Sequence, residues 1–112
     1  MNDTGNACGS EDLGGYVLVR VSGEVDLSWS QQVRDAILAA LGRGDVGVEL
    51  SQVGYIDSSG IAALVEGFQR ARSTGKRFGL IAASKPVLAV LQLARLDKVF
   101  PMFAGVDEAR VA

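Results

Sequence analysis

Two hydrophobic periods alternate along this chain, and that alternation restricts its fold more than any other feature. Tyr16-Val17-Leu18-Val19-Arg20-Val21 is rich in β-branched and aromatic residues and predicts a strand. Ser22-Gly23-Glu24-Val25-Asp26 extends that strand and ends it with polar groups. Trp29, Val33, Ile37 and Leu41 follow at four-residue steps, one face of an amphipathic helix that Gly42 and Gly44 then stop. Val46, Val48 and Leu50 alternate as a second strand. Ile61, Leu64, Val65 and Phe68 return to helical spacing, so residues 59–74 predict a second helix, closed by Gly75. Residues 77–83 predict another strand. Ser84-Lys85-Pro86 opens a third helix, with Ser84 as its cap and Pro86 in its first turn. Residues 99–103 are apolar, but Pro101 restricts them to a short edge strand or an extended segment. Residues 107–111 suit a final helical turn. Strands that alternate with helices pair in parallel through crossovers. The pattern alone therefore predicts a small α/β sheet of four or five parallel strands. A ligand or partner site is expected at the carboxyl ends of those strands.

The 112 residues suit one domain, and a hydrophobic content of 48% suffices for its core. Residues 1–14 are polar and glycine-rich and are expected to form a flexible tail, with the domain at 15–112. They lack the basic start and apolar run of a signal peptide, and no stretch approaches the ~18 apolar residues that span a bilayer. Asn2-Asp3-Thr4 matches a glycosylation sequon by chance if the chain is not secreted. The one cysteine, Cys8, allows no internal disulfide and suits a reducing, cytoplasmic compartment. No membrane insertion is expected.

A formal charge of -2 argues against direct nucleic-acid binding, which draws on a basic surface. The mild cluster of Arg70, Arg72, Lys76 and Arg77 reads as a solvated helix end. The chain has no histidine, which removes a Ser-His-Asp triad, a histidine zinc site and a histidine phosphorelay. Gly42-x-Gly44-x-x-Gly47 has the letters of a dinucleotide fingerprint, but it follows a helix and leads into a strand, the reverse of what that site needs. Gly75-Lys76 lacks the flanking residues of a phosphate loop. No cofactor or metal is implied.

What remains is Tyr55-Ile56-Asp57-Ser58-Ser59-Gly60-Ile61, where a strand runs into a helix. Backbone N–H groups are unsatisfied at a helix start, and the helix dipole favours negative charge there. Two hydroxyls at that position admit two readings. Asp57 or a serine caps the helix and does nothing more. Alternatively the turn is a docking surface on which a phosphate acts as a switch. Gly60 would leave the turn open to a partner. Glu24 and Asp26 end the first strand and come close to this turn if the two strands are parallel neighbours, with Asp26 a candidate cap for the next helix. Catalysis fits poorly, because a nucleophilic serine needs a base and Asp57 is the only one nearby.

Taken in order, these segments resemble STAS domains, and among them the bacterial anti-sigma factor antagonists. The matching residues are Ser22-Gly23-Glu24-Val25-Asp26, the strand at 46–50, Tyr55-Ile56-Asp57-Ser58-Ser59-Gly60-Ile61, Gly75-Lys76-Arg77-Phe78, Pro86-Val87 and Leu96-Asp97-Lys98-Val99-Phe100, spanning about residues 15–105. The resemblance implies a mixed sheet of four to five strands with helices packed mainly on one side, in place of the purely parallel one. It implies a non-enzyme whose phosphoacceptor is Ser58, with Asp26, Asp57, Ser58, Ser59 and Gly60 meeting the partner. That partner would be an anti-sigma factor serine/threonine kinase, bound by the unphosphorylated form, and a PP2C-type phosphatase would reset the switch. An alternative within the family is a subunit of a lipid-transporting ABC complex that docks on its ATPase, where threonine often replaces the motif serine. A nucleotide-binding module is a third reading that no phosphate loop supports. Family members begin with an additional strand, and residues 1–14 make a poor one, so the sheet either lacks that strand or recruits an irregular one. An edge left open there would favour weak homodimerisation.

Overall fold

The computed structural model describes residues 6–112. In chain order the elements are β1 (Ala7–Asp12), β2 (Tyr16–Val25), α1 (Ser30–Leu41), β3 (Asp45–Ile56), α2 (Ser58–Ser73), β4 (Phe78–Ile81), α3 (Lys85–Leu93), β5 (Met102–Phe103) and α4 (Val106–Val111). The five strands form one sheet in the order β1-β2-β3-β4-β5. β1 is antiparallel to β2, and every later pairing is parallel. The sheet is therefore mixed, and the purely parallel expectation is corrected by its first strand.

Residues 7–12 of the expected tail are thus a paired strand, from Ala7 opposite Ser22 to Asp12 opposite Val17. The rest of the sequon-bearing start, residues 1–5, lies outside the described residues. The turn that makes this hairpin is Gly14-Gly15, with φ of 78° and 85°. Left-handed values at two successive residues match the right-handed strand twist, and glycine adopts them without a Cβ clash. Leu13 N donates to Tyr16 O at 2.7 Å, and Gly14 N donates to the Asp12 carboxylate at 3.1 Å. The β2 edge is covered by the chain's own β1.

Strand alternation divides the core in two. Val17, Val19 and Val21 of β2, Val46, Val48 and Leu50 of β3, and Phe78 and Leu80 of β4 face one side. There they meet Val33 and Ile37 of α1, Ile61 and Leu64 of α2, and Val87 and Leu91 of α3. Tyr16, Leu18 and Ile81 face the other side, where Ala109 of α4 covers them. Three helices on one face and one short helix on the other is the layering that the resemblance implies.

Two of the three glycines of the false dinucleotide fingerprint are explained by close approach. A Cβ on Gly44 would overlap the backbone of Gly15, and one on Gly47 would overlap the Tyr16 hydroxyl. Gly75, at φ 72°, ends α2 as expected, and Lys76 N reaches back to Ala71 O at 2.8 Å. Ser84 caps α3, accepting from Val87 N at 3.4 Å while its hydroxyl donates to Val53 O at 2.5 Å.

Candidate functional site

β3 runs past the end of β4, whose pairing stops at Glu49, and continues to Ile56 beside β2. Two register shifts lie in this extension, between Arg20 and Ser22 and between Gly23 and Glu24. Each inserts an additional residue into β3, so Val53 and Ile56, three apart, both enter the same core. Val25 lies opposite Ile56, which brings the carboxyl ends of two parallel strands together. Asp57 N then donates to Val25 O at 3.2 Å and fastens the turn into α2 to the end of β2. Asp26, Asp57 and Ser58 accordingly share one edge of the sheet.

At the start of α2 the carboxylate of Asp57 accepts from Ser59 N at 2.9 Å and from Gly60 N at 3.2 Å. The Ser59 hydroxyl donates to the same oxygen at 2.6 Å. Asp57 is therefore the helix cap, as the capping reading requires. These bonds, led by that from the Ser59 hydroxyl, hold the Asp57 carboxyl below its ordinary pKa. A carboxylate so stabilised is a poor base, which weakens the catalytic reading further.

The same bonds separate the two serines. Ser59 is half-buried and spends its hydroxyl on Asp57. Ser58 is exposed, and among the described residues its hydroxyl has no hydrogen-bond partner. One cap needs one side chain, and Asp57 provides it, leaving Ser58 unemployed by the fold.

Gly60 is buried. A Cβ there would lie 2.6 Å from Ile56 Cγ1, 2.9 Å from Val25 Cγ1 and 3.0 Å from Val25 O. Its small size lets α2 approach the strand ends, and the expectation that it opens the turn to a partner is corrected. Asp26 caps no helix either. Its carboxylate accepts from Ser28 N at 3.0 Å and from the Ser28 hydroxyl at 2.6 Å, shaping the turn before α1, whose cap position is Trp29. Glu24 is exposed beside Tyr55 of β3, and its N–H donates to the Asn6 side chain at 2.9 Å. Among the described residues none of Glu24, Asp26 and Asp57 has a cationic partner. The pattern of residues missed two exposed apolar side chains near this edge, Leu27 at 80% and Tyr55 at 49% exposure. Tyr55 was visible as an aromatic residue out of register with its strand's buried positions.

Among the described residues there is no cluster of three or more side chains able to hold a metal, and no helix is long and apolar enough to cross a membrane.

Removal of the cap has a defined sign. Because the folded state lowers the Asp57 pKa, its stabilising effect is present above the unfolded carboxylate value and fades as pH falls through the folded one. Asp57→Ala is expected to cost about 0.5–2 kcal/mol at neutral pH, the usual worth of an N-cap. Urea unfolding should show that difference at pH 7 and a narrowing of it as the solution is acidified below the ordinary carboxylate range.

Comparison with known proteins agrees with this architecture. The family model described as "Mlab, STAS domain" matches residues 10–103. The anti-sigma F factor antagonist of Paenibacillus polymyxa is 26% identical over 92 residues, covering 80% of this chain and 79% of that protein. A crystal structure of an anti-sigma factor antagonist from Mycobacterium paratuberculosis superposes with a TM-score of 0.82 at 28% identity, covering 94% of this chain and 91% of that one. The Bacillus cell fate determinant SpoIIAA, solved in its phosphorylated form, gives a TM-score of 0.74 at 25% identity, covering 95% and 100% of the two chains. With its mixed sheet, its Asp-capped second helix and a family match over most of its length, this chain belongs to the STAS domain family.

Proposed function

We propose that this protein is an anti-sigma factor antagonist acting in the cytoplasm, switched by phosphorylation of Ser58. The unphosphorylated chain docks on an anti-sigma factor that is itself a serine/threonine kinase, through the edge formed by Asp26, Asp57, Ser58 and Ser59. The kinase transfers phosphate to Ser58 and the complex separates. A PP2C-type phosphatase removes the phosphate and restores docking. The kinase supplies the catalytic base, so the acceptor needs none of its own.

The observation that carries this reading is the division of labour between the serines. Ser59 is tied to the cap, while Ser58 stands exposed with a hydroxyl that serves no fold. The names of the similar proteins support it: antagonists of anti-sigma factors, one of them solved with and without phosphate.

The test is the intact mass of the chain recovered from its native cells, with the modified residue mapped by fragmentation. One phosphate on Ser58 is expected. Ser58→Ala should abolish it, and Ser59→Ala should retain it, because Asp57 keeps its two backbone donors without the Ser59 hydroxyl. A chain that stays unmodified across growth conditions and co-purifies with an ATPase would replace the switch with constitutive docking in an ABC complex.

A further inference from the structure

The pole of the sheet opposite Ser58 holds a cavity of about 300 Å³. It lies where the parallel strands begin and α2 ends. Its walls are largely apolar, with Phe68, Phe78 and Phe103 among them, and the Phe68 and Phe78 rings have centroids 6.1 Å apart. Three cations also line it, Arg72 of the last turn of α2 and Lys76 and Arg77 of the turn into β4. The Arg72 guanidinium sits over the Phe68 ring, 5.8 Å from its centroid, and no carboxylate among the described residues pairs with it. Lys76 donates one proton to Leu41 O at 3.0 Å. The neighbouring Arg77 is already engaged by Asp45 at 3.2 Å. The cluster that reads in sequence as a solvated helix end therefore borders an apolar cavity with cationic charge to spare.

The cavity also contains an unanswered donor. Tyr16 is only 6% exposed, lines the cavity, and has no hydrogen-bond partner for its hydroxyl among the described residues. That hydroxyl opens onto the cavity space and offers its proton to a ligand acceptor there. The position is maintained by Gly47, where any Cβ would overlap that hydroxyl.

We infer that this cavity binds a small amphipathic carboxylate. Its charge meets Arg72 and Lys76, an oxygen accepts from Tyr16, and its hydrocarbon body packs on Phe68, Phe78 and Phe103. The volume stands at the low end for small-molecule sites, which favours a short hydrocarbon body. The phenylalanine walls disfavour a ligand as polar as a nucleotide. The inference is independent of the role of Ser58.

The test titrates the full isotope-labelled chain with decanoate, decanol and inorganic phosphate below micellar concentrations and follows backbone amide shifts. Decanoate should saturate shifts around Phe68, Arg72, Phe78 and Phe103, binding about tenfold more tightly than decanol, the usual scale of a charge-assisted contact. Arg72→Gln and Lys76→Gln, both at the rim, should each weaken decanoate about fivefold and leave decanol unchanged, and Tyr16→Phe should weaken decanoate about threefold to tenfold. Equal binding of decanoate and decanol would overturn the anionic head. Phosphate binding as tight as decanoate would overturn the apolar body. No saturable shifts at this pole with any of the three would overturn the site.

Discussion

Ser58→Asp is expected to weaken binding to the anti-sigma factor kinase by roughly a hundredfold, a loss of about 3 kcal/mol, while Ser58→Ala binds as the native chain does. The expectation follows from where the charge would sit. A helix start normally welcomes an anion, because its N–H groups and dipole solvate negative charge. Here that capacity is already committed: the Asp57 carboxylate holds Ser59 N and Gly60 N. A second anion at Ser58 cannot take those donors without displacing the cap. It must stand outward, on an edge that already presents Asp26 and Asp57 without cationic partners. A phosphate of about -1.5 to -2 charges placed there adds like-charge repulsion and a desolvation cost to any interface that closes over it. An aspartate carries about half that charge, so the phosphorylated chain should bind more weakly still. Alanine removes only an exposed hydroxyl with no partner, a change expected to stay within about 0.5 kcal/mol in stability. Titration calorimetry against the purified kinase would measure both variants. Equal affinity for the two would remove Ser58 from the interface and the switch with it.

The period of the apolar residues gave three of the helices and the inner strands correctly, because those elements bury one face each and the burial dictates the pattern. β1 was not legible in that way. Ala7-Cys8-Gly9-Ser10-Glu11-Asp12 buries little, and its strand exists because the backbone of β2 offers a ladder. The signal for it in the sequence is Gly14-Gly15, a two-residue hairpin turn followed by a clear strand. The length of β3 was hidden for a related reason. Its two inserted residues break the alternation after Leu50, so Val53 and Ile56 look out of phase in a one-dimensional reading although both are buried. At the site, residue types identified the turn but not the division of labour within it. Asp57, Ser58 and Ser59 can each cap a helix, and only the hydrogen bonds show that Asp57 does so with Ser59's help and without Ser58.

Gly60→Ala separates two forces that pull in opposite directions at that turn. Gly60 lies in the first turn of α2, and helix propensity alone favours alanine over glycine by about 1 kcal/mol. Packing opposes it. The new methyl would lie 2.6 Å from Ile56 Cγ1 and 2.9 Å from Val25 Cγ1, both in side chains almost wholly buried. It would also lie 3.0 Å from Val25 O, which is fixed as the acceptor for Asp57 N. A methyl forced into such a site costs typically about 1–3 kcal/mol, so packing wins and a net loss of about 1–2 kcal/mol is expected. The thermal midpoint should fall by about 4–8 °C for each kcal/mol lost in a domain of this size. Gly54, where an added Cβ meets nothing within 4 Å, is the matched control, and Gly54→Ala should leave the midpoint nearly unchanged. The least disruptive response to the methyl is for the start of α2 to move away from Val25, carrying Ser58 with it. Gly60→Ala should therefore also weaken docking, although the residue itself is buried. A variant as stable as the native chain would show that propensity outweighs contact, and that the edge bearing Ser58 is held less tightly than its packing implies.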